Sequence, residues 1–501
     1  MINLVGLESE IHVGCVGDVP HACRSSLVDM VLEEIRQQQS HHNDKTDEAQ
    51  VTISQEFLAN GMRCYNDHGY LEVSTPPLAN TVEAVAAVRA GDRIVRSAVE
   101  SVQGLLNDNV RLFAVRNNTD HSGHSYGAHV NVRMSRQAFE RLFGDERLFH
   151  GVVVPFFATL PLICGAGCAG GKDGENTFHT WQRGGFTETL VGDATQTNRP
   201  LVNTRDESLS ADPVQCARLH VIHLDAVRSE TAEYCKLGLL KLFGAAVDYV
   251  GWSGTSYELD NAIYAVRSVT ASPFHPLRLK SKKTATPLAI QRNFFESFSS
   301  LQEEGVFDSC VPDARDILEQ VDEVLTTLEQ DPFDLVGSLD WITKSVWLEE
   351  FRTCRGLDWS DPRMKWADIQ YHNLIGQDGF ELPKLRRITS ESQVQSLIDA
   401  APKGSRARIR GTILRKFGHE LADLDWHWFV GRDSSTAFFL PDDPTEEALG
   451  LAEHAKTLDD LARTLRLQPV PVRPLIVVPL SDRKEACLGT ESVPSKPLSE
   501  V

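Results

Sequence analysis

The opening segment constrains this chain more than any other. In Gly6-Leu7-Glu8-Ser9-Glu10-Ile11, side chains of a strand alternate faces with period two. Glu8 and Glu10 then share one face, while Leu7, Ser9 and Ile11 take the other. Neighbouring carboxylates repel unless they are solvated, protonated or bridged by a cation. A hard divalent ion such as Mg²⁺ takes oxygen ligands, and is often held by few carboxylates together with substrate phosphates. Taken alone, an exposed strand edge is the plainer account of the pair.

With 501 residues the chain has room for a large core and more than one domain. Its formal net charge is −20, which favours basic partners or metal-bound nucleotide over nucleic acid. A duplex-binding surface needs a basic patch. The compact basic runs, residues 278–283 and 406–415, are short and read as solvated faces. Ten cysteines lack paired zinc-ligand spacing, Cys164 and Cys168 being the closest pair, so free thiols in a reducing cytoplasm are expected. No apolar run approaches the roughly 20 residues of a membrane helix, and with a strand expected to begin at once at Met1-Ile2-Asn3, no signal peptide is expected. The chain is therefore expected to be cytoplasmic, with no membrane partner.

Hydrophobic spacing predicts strands over residues 1–14, 111–115, 128–134 and 218–224. It predicts helices over 25–39, 230–244, 313–329 and 445–465, and a polar loop over 37–49. Strands and helices alternate without a βαβ rhythm, which points to an α+β fold on an antiparallel sheet. Composition shifts near Ala400-Ala401-Pro402, dividing the chain into residues 1–400 and a small C-terminal domain, 401–501. Prolines 469, 471, 474 and 479 deny a regular helix beyond Gln468, and the last dozen or so residues are expected to be disordered.

Several motifs invite chemistry. The segment at 165–174, GAGCAGGKDG, is not a phosphate loop: Ala166 stands where a glycine is needed and Asp173 where Ser or Thr must follow Lys172. A flexible connection is the better account. Gly127, His129 and Asn131 share a strand face, so that His129 could ligate a metal or bind phosphate and Asn131 could orient a substrate. Arg205, within Asn203-Thr204-Arg205-Asp206-Glu207, could grip phosphate with a bidentate fork or sit in a surface turn with a local ion pair. Arg218 and His220 share another strand face, with Asp225 close behind. Glu8, Glu10, Glu72, His129, Glu188 and His220 together offer oxygen and imidazole donors without thiolates, a set suited to Mg²⁺.

In order along the chain, GLESEIHVG, FLANGMRCYNDHGYLEVSTPP, NNTDHSGHSYGAHVNV, RPLVNTRDESLSADP, RLHVIHLDAVRSETAEYCKLG, DIQYHNL and SRARIRG resemble the family of Pup ligases and depupylases, relatives of glutamine synthetase. The resemblance implies a curved antiparallel sheet with helices on its convex side, holding ATP and Mg²⁺, plus a small C-terminal domain. It implies an ATP-dependent enzyme whose partner is a small Pup-like protein modifier. In such a ligase the γ-phosphoryl group activates a carboxylate for attack by a lysine; in a depupylase an isopeptide or side-chain amide is hydrolysed. By matching motifs, Glu8, Glu10, Glu72 and His220 fall on metal positions and Asp67 on the catalytic aspartate. Arg205 falls on a phosphate contact, with His129, Asn131 and Arg218 alongside the nucleotide.

Three departures stand out. Tyr70-Leu71-Glu72-Val73 replaces His-Pro-Glu-Tyr, His129-Val130-Asn131-Val132 replaces His-Glu-Asn-Tyr, and Leu224-Asp225-Ala226-Val227 replaces Gly-Asp-Ala-Asn or Gly-Asp-Ser-Asn. The missing carboxylate at Val130 reads as a lost oxygen donor. Asp67 and Glu72 are five apart, as in depupylases, and VGDATQTNRP and Ala226 lean the same way. LICGAG, NNTD and the short segment before Asp67 are ligase-like. The balance favours a depupylase- or deamidase-like amidohydrolase. The alternatives are a ligase working through an acyl phosphate and a non-catalytic homologue that binds the modifier.

Overall fold

The computed structural model describes residues 1–17, 26–40, 56–170, 175–376, 382–432, 436–467 and 469–471. Its centre is a six-stranded sheet of Val5–Val16 (β1), Arg63–Asp67 (β2), Tyr70–Ser74 (β3), Arg111–Val115 (β4), Ala128–Ser135 (β5) and Cys216–Val221 (β6). Every pairing is antiparallel, in the order β6-β5-β1-β3-β2, with β4 joined to the later half of β1. The α+β architecture expected from the sequence is therefore present.

Register fixes what the two faces carry. Glu8 lies opposite His129 and Ser74, Glu10 opposite Glu72, and His220 opposite Asn131. Directly opposed residues point to the same face, so the charged positions of β1, β3, β5 and β6 form one surface. The alternate positions Leu7, Ile11, Val73, Val130, Val132 and Leu219 are buried in the main core. Helices Leu27–Ser40 (α1), Thr81–Gln103 (α2) and Glu230–Asp248 (α3) pack against these strands. Val130 is fully buried on that core face, which corrects the inference that its family carboxylate would have been an oxygen donor in the cleft.

Other expectations need amendment. The apolar stretch Glu146–Cys164 is a helical run long and apolar enough for a membrane, yet nearly all of it is buried inside the protein. Periodicity missed it because it is apolar all round, as buried helices are. The described part of the glycine-rich segment is packed rather than loose: Ala166 donates its N–H to Asp225 Oδ2 at 2.8 Å, and the carbonyl of Gly167 accepts from Lys344 Nζ at 2.9 Å. The helix expected over 445–465 is two, Glu446–His454 and Leu458–Thr464. Thr457 breaks it by capping the second, its side chain accepting from the N–H of Asp460. Of the expected 37–49 loop, the start is the end of α1, and the remainder lies outside the described residues, as does the tail from 472.

A separate hydrophobic cluster gathers Ile409, Ile413, Phe417, Leu421, Phe429 and Leu461 with Phe57 from far earlier in the chain. It belongs to the helix Arg406–Phe417 and a four-stranded sheet of Leu421–Leu424, Trp428–Gly431, Thr436–Phe439 and Pro469–Pro471.

One buried ion pair ties the helical layer together. Lys241 of α3 meets Asp313 Oδ1 at 2.6 Å, just before the helix Ala314–Gln330 (α4), and Asp313 Oδ2 accepts from the N–H of Thr81 at the start of α2 at 2.5 Å. Burial pulls the Lys241 ammonium below its usual range, against the pull of Asp313. Asp313→Ala would strand that ammonium and is expected to cost about 3–5 kcal/mol. Urea unfolding checks this, and the double variant K241M/D313L should recover most of the loss.

Candidate functional site

The charged sheet face floors a cleft of about 790 Å³. Two donor groups converge there. Glu8, His129 and His220 present ligand atoms within 4.8 Å of one another, and so do Glu10, Asp67 and Glu72. Strand parity accounts for most of this. Asp67 arrives by a two-residue hairpin between β2 and β3, in which His68 (φ 50°) and Gly69 (φ 96°) both take left-handed backbone, the conformation whose twist suits such a turn. Asn66 Oδ1 closes the turn by accepting from the N–H of Gly69 at 2.8 Å.

Around the first group the polar contacts are dense. Asn131 donates from Nδ2 to Glu8 Oε1 at 2.8 Å. Its Oδ1 accepts from Arg218 Nη1 at 2.9 Å and faces His220 Nδ1 at 2.8 Å. An amide oxygen can only accept, so His220 donates through Nδ1 and keeps its Nε2 lone pair for another partner. Burial penalises the Glu8 carboxylate, but the His129 hydrogen bond and the charges of His220, His129 and Arg218 outweigh it, bringing the group down to about 2. Burial first, then the charge of His129, pulls His220 down to about 3, so its ring is neutral and able to ligate.

The second group is poorer in positive partners. Glu72 is 5% exposed and is pushed up to about 7 by burial and by the negative charges of Glu8 and Glu10, against a hydrogen bond from Tyr65. Glu10 Oε2 accepts from the N–H of Gly127 at 2.8 Å. A cation between Glu10, Asp67 and Glu72 would relieve this crowding, and oxygen donors of that kind fit Mg²⁺.

The remaining residues divide. Arg205 lines the cleft but is bound locally, Nε and Nη2 donating to Glu207 Oε1 at 2.9 and 2.7 Å, so the alternatives of cleft arginine and local ion pair coexist. Arg218 is also held by Glu207, at 3.4 Å. Glu188 is exposed and is not among the residues lining the cleft.

Sequence reasoning missed several lining residues. Arg63 and Tyr65 precede Asp67 at period two and were legible by the same alternation that selected Glu8 and Glu10. Arg183 and Arg199 come from loops, where no periodicity marks them. Arg183 is buried, its Nη1 donating to Ser125 Oγ at 3.1 Å and its Nη2 to the carbonyl of Ile222 at 2.8 Å; burial and Arg199 hold it down to about 10. Trp426 reaches the cleft from the C-terminal unit.

A family model described as Pup-ligase protein matches residues 10–430. The depupylase of Acidothermus cellulolyticus is 34% identical over 447 residues, spanning 86% of this chain and 86% of its own length. Pup–protein ligase 1 of Rhodococcus erythropolis is 30% identical, spanning 77% of this chain and 86% of its own. The solved complex of the prokaryotic ubiquitin-like protein Pup with its ligase PafA superposes with a TM-score of 0.72 over 90% of this chain and 91% of that one, at 24% identity, a likeness of fold.

Glu72 must lose its proton before it can accept a cation. Divalent-ion affinity should therefore rise with pH through about 7. Calorimetric titration with Mn²⁺ is expected to give roughly tenfold weaker binding at about pH 6 than at about pH 8. In Glu72→Gln that dependence should disappear.

Proposed function

The chain belongs to the Pup-ligase family, and we propose that it is an ATP- and Mg²⁺-dependent amidohydrolase acting on Pup, or on isopeptide conjugates of Pup, in a reducing cytoplasm. The observation that carries this reading is the convergence of two donor groups, one of them including Asp67, on a single sheet face. In this assignment Glu8, Glu10, Glu72 and His220 hold cations, and His129, Asn131, Arg205 and Arg218 serve the nucleotide. The division at residue 400 forms part of the same proposal, residues 401–501 being a C-terminal domain that lends Trp426 to the cleft. All eight described cysteines are free thiols, in keeping with a reducing compartment.

Metal-bound nucleotide, when present, compensates phosphate charge and the negative charge that develops at the reacting carbonyl. The chain itself supplies the base. Asp67 sits at a hairpin tip, its side chain 40% exposed, where it can meet both an incoming amide and water. In hydrolysis the C–N bond breaks, the hydroxyl of water ends on the acyl carbon, and Asp67 relays the remaining proton toward the departing nitrogen. Arg183 and Arg199 face this chemistry from the loops and provide an anion-binding wall.

Support for hydrolysis over ligation comes from the five-residue spacing of Asp67 and Glu72 and from the higher identity to the depupylase than to the ligase relative. The non-catalytic alternative loses its motive, because the Val130 departure lies on the core face.

With Mg²⁺-ATP and Pup carrying a C-terminal glutamine, the chain should release ammonia without stoichiometric ADP. Asp67→Asn should lower that rate by about 10²–10⁴-fold while fluorescent ATP still binds. One ADP formed per isopeptide made would instead establish the ligase direction.

A further inference from the structure

The cleft has two ends, and they differ in chemistry. Where β1 begins and β3 finishes, a second cavity of about 220 Å³ opens between Gly6, Thr75, Arg406 and Trp426. Glu8, Asn131 and Arg218 also line this end, so the nucleotide assigned to them above belongs here. An amide substrate must then approach from the other, beside the Asp67 hairpin.

That other end is walled by aromatic rings. Tyr70 is the cross-strand partner of Asp67, so the two side chains share the cleft face. The Tyr70 and Tyr126 rings lie 4.8 Å apart, and His12 lies 5.9 Å from Tyr70 and 6.5 Å from Tyr126. Tyr126 is buried, and burial first, then the nearby Tyr70 and Asp120, holds its hydroxyl above the usual range. Asp120 is fixed in turn, accepting from the N–H groups of Ser122 and His124 at 2.7 and 3.1 Å and facing His124 Nδ1 at 2.7 Å. The wall is therefore rigid, apolar on its ring faces and acidic at its far edge. Arg183 and Arg199 reach the cleft through Ser125, at 3.1 and 3.2 Å, and suit a substrate carboxylate. The tyrosines suit the opposite kind of group, an aliphatic stem carrying nitrogen.

We propose, resting on the amidohydrolase reading above, that Tyr70 and Tyr126 form the subsite for the four-carbon stem of the lysine on the amine side of the isopeptide. The stem lies along the two rings, and its nitrogen is delivered to Asp67 on the same hairpin. Tyr70 thus sets specificity for conjugated lysine over ammonia as the leaving group.

The test uses the full chain with Mg²⁺-ATP and two substrates that differ only on the amine side: Pup with a C-terminal glutamine, and Pup joined through the same side chain to Nζ of lysine in a short peptide. In Tyr70→Ala the ratio of kcat/KM for isopeptide to kcat/KM for glutamine should fall at least about tenfold, through KM of the isopeptide. Tyr70→Phe, which keeps the ring, should restore the ratio. A ratio unchanged in Tyr70→Ala, with both substrates slowed alike or neither affected, overturns the subsite while leaving the amidohydrolase standing. A wild-type chain that cleaves neither substrate overturns both.

Discussion

Like charge crowded on one side of a sheet is the constraint on which the rest of this structure turns. Glu8, Glu10 and Glu72 meet on adjacent strands, and only part of their repulsion is offset by the fold. At the Glu8 end, Asn131, Arg218 and His129 supply the compensation. At the Glu72 end Ser74 Oγ donates one long hydrogen bond to Glu72 Oε1, at 3.4 Å, and the carboxyl is left poised to trade its proton for a cation. The face is thus incomplete without bound positive charge, which is what a site for metal-bound nucleotide requires.

Such a face survives only if its register cannot slip. A shift of one residue would send the carboxylates into the core and the core residues into the cleft. Leu7, Ile11, Val130 and Leu219, buried beneath the helices, hold the register from behind. Further out, Asp225 accepts from the N–H groups of Ala166, Gln182 and Arg183 at 2.8, 2.9 and 3.0 Å. Burial raises this carboxyl to about 6 despite those three bonds. The glycine-rich segment, unsuited to phosphate binding, thereby becomes part of the frame that aims Arg183.

What was legible in the sequence follows from this arrangement. Period-two alternation placed Glu8 with Glu10, His129 with Asn131, and Arg218 with His220, because each pair lies on one strand with an apolar reverse. Asp67 came from the resemblance and Glu72 only from pooling the donors, since the hairpin between them interrupts the alternation. Arg183 and Arg199 were illegible: they reach the cleft by loop paths fixed through contacts distant in sequence. Lys241 was equally hidden as a buried ion pair with Asp313, for which no local pattern exists. The Val130 error came from reading a family difference as chemistry before assigning the residue to a face.

Parity also sorts the other departures from the family pattern. Leu71, Val73, Val130, Val132, Leu224 and Val227 are all buried, the first four on the core side of their strands. They lie in the interior behind the cleft, and none of them is among its lining residues. Tyr70 alone among the replaced residues faces the cleft, against Tyr126 and opposite Asp67. Among these departures the cleft-facing one is therefore Tyr70, at the end proposed for the amine side of the substrate. On the proposed assignment, a change of specificity confined to that end needs no change in the carboxylates, because the stem of the amine and the phosphates of the nucleotide are assigned to opposite ends of the same strands.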